Sequence, residues 1–99
     1  MTEETIRIDK FLWYARLAKT RTAAQRFVEM GSIRIDRRRP SSAHSLVRVG
    51  QIITTFARGE ALVIRVEHIP KRRGPISEAE SCYSRVAIED AIDANGTLA

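Results

Sequence analysis

Between residues 11 and 28 the apolar positions Phe11, Leu12 and Ala15, with Trp13 beside them, then Ala23, Ala24, Phe27 and Val28, recur at the three-to-four-residue spacing of helices with one buried face. Two helices are predicted there. Asp9 stands where a side chain can cap the first, Ile8 before it is placed to pack on Trp13 as a hydrophobic staple, and the pattern runs out near Leu17 or Ala18. Thr20 is the natural cap of the second helix, and Gly31 supplies its left-handed stop. After Gly31 the period changes to two, with Ile33 and Ile35 alternating against Arg34 and Asp36, so a short strand and then a loop over 37–42 are predicted. Leu46, Val47 and Val49 lead into Gly50. Residues 51–56 and 61–69 are rich in β-forming types and are separated by Ala57-Arg58-Gly59-Glu60, a hairpin turn. Ser77 with Glu80 three residues later reads as a capping box opening a final helix to about Ile92, with residues 95–99 frayed. The fold class is therefore α+β: two N-terminal helices packed on a small, mostly antiparallel sheet, plus a C-terminal helix.

At 99 residues and 43% apolar content the chain is long enough for one modest core. The pattern divides it into a flexible 1–6, a folded domain over 7–69, a basic connector at 70–76, and an acidic helix with a frayed end over 77–99. No apolar run approaches the roughly 20 residues that cross a bilayer, and the acidic start lacks the basic-then-apolar order of a secretory signal. A cytoplasmic protein without membrane contact is expected. Charge then changes the picture. Residues 1–76 hold 16 basic against 7 acidic side chains, while 77–99 hold one basic, Arg85, against five acidic. Ten of the cations fall between residues 7 and 39, interleaved with the apolar helix pattern, which marks a folded basic surface suited to nucleic acid.

Little else carries chemistry. Cys82 is the single cysteine, with no partner for a disulfide or a zinc site, and reads as a buried small hydrophobe. His44 and His68 have no second ligand at metal spacing, and no serine or cysteine is set up as a nucleophile, so no metal, no cofactor, no small-molecule substrate and no catalysis are expected. Trp13 reads as core, with Tyr14 more open to contact. The acids Glu78, Glu80, Glu89, Asp90 and Asp93 read as a solvated helix face, with docking of a protein partner as the minority alternative.

The run RIDKFLWYARLAKTRTAAQRFVEMGSIRID, followed by Pro40-Ser41 and VRVGQII, closely resembles the alpha-L RNA-binding domain named after small-subunit ribosomal protein four. Phe11 to Arg16 after Asp9-Lys10, the Lys19-Thr20-Arg21 corner and the later RRGPISEAESCY are most similar to the heat shock protein 15 family, which is ribosome-associated. The sequence departs from the pattern at Asp36-Arg37, where Asn-Gly is usual, and at Gly50-Gln51, where Gly-Asp is common. Better-known members carry a long basic C-terminal extension, and no ribosome contact made by that extension is expected of residues 77–99, which are acidic. The resemblance implies a non-enzymatic protein that binds large-subunit ribosomal RNA and helps recycle stalled large subunits carrying peptidyl-tRNA. A general regulator binding structured RNA, or a ribosome assembly factor, is the alternative; a pseudouridine synthase relative is disfavoured because the chain has no room for that catalytic domain. By motif matching, the resemblance points to Arg7, Lys10, Arg16, Lys19, Thr20 and Arg21 as RNA-binding residues. The Arg37, Arg38 and Arg39 loop is placed to reach a second backbone strand.

Overall fold

The computed structural model describes residues 4–57 and 59–87. The order is β1 (Thr5–Arg7), α1 (Ile8–Tyr14), α2 (Arg21–Glu29), β2 (Arg34–Ile35), β3 (Leu46–Arg48), β4 (Ile52–Ala57), β5 (Glu60–Val66), α3 (Ile76–Glu80) and β6 (Tyr83–Arg85). Two antiparallel sheets result, a β1-β3 pair and a four-stranded sheet in the order β2-β4-β5-β6. One core joins α1 and α2 to both sheets through Ile8, Phe11, Leu12, Ala24, Val28, Ile33, Val47, Ile53, Ile64 and Val66. The α+β architecture predicted from the apolar periods is the one observed.

Both N-terminal helices end in the same hydrogen-bonded motif. In α2 the expected glycine stop is present: Gly31 has φ 76°, its N–H donates to the carbonyl of Val28 at 3.1 Å, and the N–H of Ser32 donates to Phe27 at 3.0 Å. In α1 the residue in that position is Arg16, at φ 61°. Its N–H donates to Trp13 at 3.1 Å and that of Leu17 to Leu12 at 2.8 Å. The first helix therefore closes at Tyr14, earlier than the apolar pattern suggests, because residues 15–18 fold back over its last turn. Gly31→Ala is expected to cost about 1 kcal/mol through its left-handed backbone. Its Cβ would also stand 3.0 Å from Cζ of Arg39. A drop of roughly 4–8 °C in thermal melting followed by circular dichroism would show it.

The turn after β2 keeps the geometry that Asn-Gly would favour. Asp36 and Arg37 have φ 49° and 73°, and Ile35 and Arg38 exchange both backbone hydrogen bonds at 2.9 and 3.0 Å. This is a two-residue turn with both central residues left-handed. Asp36 also earns its place through its side chain, which accepts from the N–H of Ile52 at 2.9 Å and from Nε2 of Gln51 at 3.1 Å. Gln51, where Gly-Asp is common, thus ties the start of β4 to the turn.

Two expectations require correction. Thr5 and Ile6, assigned to a flexible terminus, lie in β1, where Ile6 pairs with Val47 and is buried. The helix expected from 77 to 92 begins at Ile76 and stops at Glu80, without a side-chain cap; residues 83–85 instead form β6 on the open edge of β5. Ser81 Oγ donates to the Glu78 carbonyl at 2.6 Å, and the β-prone Tyr83 gains ladder hydrogen bonds there that a continued helix would forfeit. The remainder of the predicted helix, with Glu89, Asp90 and Asp93, lies outside the described residues, as does residue 58 of the β4-β5 turn. The basic connector at 70–76 packs against the helical end of the fold. Arg73 donates to the carbonyls of Trp13 and Ala18, and Arg16 Nε donates to the Gly74 carbonyl at 2.8 Å. These contacts pin the connector to the end of α1.

Candidate nucleic-acid interface

The basic surface is organised around a carboxylate that the sequence alone marks as a helix cap. Asp9 is fully buried inside the first turn of α1, and Arg7 occupies the N-cap position with no side-chain cap bond. Arg7 grips the Asp9 carboxylate with Nε at 3.1 Å and Nη2 at 2.8 Å. The N–H of Lys10 donates to it at 2.8 Å, Gln25 Nε2 at 3.2 Å and Arg21 Nε at 3.4 Å. Burial pushes the Asp9 carboxyl upward, but the hydrogen bonds from Arg7, Gln25 and Lys10, with the charge of Arg7, outweigh it and hold the group below the ordinary aspartate range. One anion thus fixes two guanidinium groups. Arg7 Nη1 and both terminal nitrogens of Arg21 are not used in these bonds, so they keep N–H donors for a second anion.

The start of α2 adds a second anion-attracting feature. Thr20 adopts an extended backbone and its Oγ1 accepts from the Ala23 N–H at 3.0 Å. The N–H groups of Arg21 and Thr22 remain without an acceptor inside the helix, at its positive end, and no acid lies in the first turn. Lys19 is exposed just before it and, like Lys10, makes no side-chain hydrogen bond or ion pair among the described residues. Arg7, Lys10, Lys19, Thr20 and Arg21 are therefore gathered where β1 ends and α1 and α2 begin. Arg16 sits at the other end of α1, oriented by Gly74.

The Arg37, Arg38 and Arg39 loop does not join that cluster. Arg39 Nη2 donates to the carbonyl of Glu29 at 3.0 Å, a cation on the negative end of α2 and so a helix length away from Thr20. Arg37 and Arg38 project from the β2 turn, both exposed. Trp13, expected in the core, is half-buried and is absent from the core cluster. The Arg73 guanidinium lies 5.9 Å from its ring centroid and Tyr14 packs beside it at 5.5 Å. The fold-back at Arg16 turns that side of α1 toward the connector, and no staple with Ile8 forms.

Sequence reasoning missed the roles of Asp9 and Gln25. An acid isolated among cations at helix-start spacing was the available signal, and Gln25, one turn after Arg21, shares a helix face with it. Cys82 is buried as expected, and burial, then the Glu78 carboxylate, push its thiol upward, so it stays protonated. Its Sγ lies 3.6 Å from His68 Nε2, so His68 is less isolated than the sequence suggests. Among the described residues no group of three or more potential metal ligands occurs, and no helix is long and apolar enough to cross a membrane.

Comparison with known proteins agrees with this geometry. Residues 6–53 match the family model of the S4 domain. The chain is 32% identical over 82 residues to heat shock protein 15 of Escherichia coli K12, covering 83% of this chain and 61% of that protein. It is 30% identical over 83 residues to the Haemophilus influenzae heat shock protein 15 homolog, covering 84% and 63%. The chain thus spans a little over three-fifths of the length of these relatives. A trimeric structure of Vibrio cholerae heat shock protein 15 superposes with a TM-score of 0.80 at 33% identity, covering 85% of this chain and 84% of that one.

Proposed function

We propose that this chain, which belongs to the heat shock protein 15 family of S4-domain RNA-binding proteins, binds large-subunit ribosomal RNA and acts on large subunits that still hold peptidyl-tRNA. The family is a non-catalytic RNA-binding one. The observation that carries the reading is the convergence of Arg7 and Arg21 on buried Asp9, beside the open start of α2. Two cations aligned by one anion leave net positive charge, and the backbone N–H groups of α2 add donors with a fixed direction. Arg7, Lys10, Lys19, Thr20 and Arg21 would hold one stretch of phosphates, and Arg16 would continue it along α1. Arg37, Arg38 and Arg39, at the far end of α2, would meet a separate strand of backbone. Such a surface reads shape and phosphate spacing, the features that distinguish structured RNA. The chain would then steady or reposition the tRNA on the subunit and so help recycle it.

Co-sedimentation with purified large subunits, either empty or carrying peptidyl-tRNA, tests this reading. Selective association with occupied subunits that persists at physiological salt is the expected result; equal binding to both, and to unrelated RNA hairpins, would instead identify a general structured-RNA regulator. With about four phosphates neutralised, the logarithm of affinity should fall with the logarithm of salt at a slope of roughly −3 to −4. A slope near zero would remove the electrostatic basis.

A further inference from the structure

Beyond that cluster, the link between α1 and α2, one side of α2 and the end of the four-stranded sheet enclose an open groove of about 740 Å³. Three aromatic rings line it: Phe27 of α2, Phe56 of β4 and Tyr83 of β6. Phe27 and Tyr83 are half-buried against the core, whereas Phe56 is 52% exposed. Among the described residues, Arg16, Lys19 and Arg85 also line the groove, with Glu60 as the single acid. Lys19 and Arg85 make no side-chain hydrogen bond or ion pair among the described residues, and Arg16 is oriented by Gly74. An apolar floor for a soluble core needs neither an exposed phenyl ring nor a cationic rim.

We propose that this groove takes one unpaired RNA nucleotide, its base stacked on Phe56 between the other rings and its phosphates held by Arg16, Lys19 and Arg85. The inference rests on the RNA-binding reading above and adds to it a base-recognition site. Three features select this occupant. The volume is that of a small-ligand site and holds a nucleotide, not a helix. Among the described lining residues, three cations against one acid suit an anionic ligand, and aromatic rings bind any base through its π-face. Lys19 lies immediately before the Thr20 cap, so a strand whose phosphates rest at the start of α2 can deliver its next splayed base into the groove. The Tyr83 hydroxyl, pushed upward chiefly by burial, stays protonated and can donate to a base edge.

The test uses the full chain and two RNA hairpins identical except at one bulged position, an adenosine in one and an abasic ribose in the other. Phosphates and overall shape are then shared, and only the base differs. Wild type should bind the adenosine hairpin about tenfold tighter. Phe56→Ala should bring that ratio close to one while leaving affinity for the abasic hairpin unchanged, and Phe56→Trp should preserve it. The exposed position makes misfolding of these variants a minor concern, and circular dichroism melts verify it.

Equal, salt-dependent binding of both hairpins by wild type would overturn the groove assignment and leave the RNA-binding reading standing. A tenfold ratio that survives in Phe56→Ala would place the base elsewhere and also overturn it. Failure to bind either hairpin would overturn the groove assignment, and failure to co-sediment with large subunits as well would remove both readings together. A change in sedimentation mass for Phe56→Ala without loss of base discrimination would assign the groove to a second copy of the chain instead.

Discussion

Replacing Asp9 with alanine is expected to lower the melting temperature by on the order of 10–20 °C, the largest stability effect of any single substitution on the basic face. The carboxylate is fully buried and accepts hydrogen bonds from Arg7, Lys10, Arg21 and Gln25. Its removal leaves two guanidinium groups facing each other across a cavity with nothing between them, and breaking such a pair costs about 3 kcal/mol. The figure lies at the low end of the range for buried pairs because Arg7 and Arg21 keep roughly a third of their side-chain surface in water. Asp9→Asn separates charge from shape: the amide fills the site but presents an N–H where an acceptor is needed, so it too should destabilise. Folding lowers the Asp9 carboxyl below its ordinary value. Its contribution is therefore complete above the unfolded aspartate value near pH 4 and is lost as pH falls through the lower folded value. Melting temperatures between about pH 2 and 6 should thus show an acid-limb loss in wild type that is reduced in Asp9→Asn. An unchanged acid limb would remove Asp9 as its source.

The second large effect concerns affinity. The double reversal Lys10→Glu with Lys19→Glu is expected to weaken binding of a structured RNA by about two orders of magnitude at physiological salt, and to reduce the magnitude of the salt slope by about 2. Neither lysine is engaged by another side chain among the described residues, so the melting temperature should move little. Arg21→Glu is a poorer probe. Its guanidinium touches Asp9, and a second carboxylate there would destabilise the fold as well as the interface. Arg65→Glu on β5, exposed and away from the start of α2, should change affinity only about threefold or less. Equal losses from the double reversal and from Arg65→Glu, measured by fluorescence anisotropy, would place the RNA-contacting surface elsewhere.

The elements were legible to the extent that a local signal specified them. Thr20 and Gly31 bracket α2 because capping depends on one hydroxyl and one left-handed residue, both visible in the chain. Ile33 and Ile35 point inward by simple alternation, and both are buried. Arg16 illustrates the opposite case, since a left-handed stop carried by a non-glycine residue leaves no sign in the sequence. The same holds for the C-terminal region, where Ser77 and Glu80 satisfy a helix-start pattern whose energy is small beside a vacant strand edge on β5.

The sequence by itself determined the α+β class, the principal α2 helix, the paired strands and the concentration of positive charge before residue 40, because these follow from periodicity, caps and composition within short windows. Only the tertiary structure decided that Asp9 lies at the centre of the basic face, that the cations divide between the two ends of α2, and that Trp13 sits under Arg73 instead of in the core. It also decided that Phe27, Phe56 and Tyr83 share one groove. Each of these depends on which distant segments pack together, and burial, shared hydrogen bonds and the competition for a sheet edge act between residues that no local pattern connects.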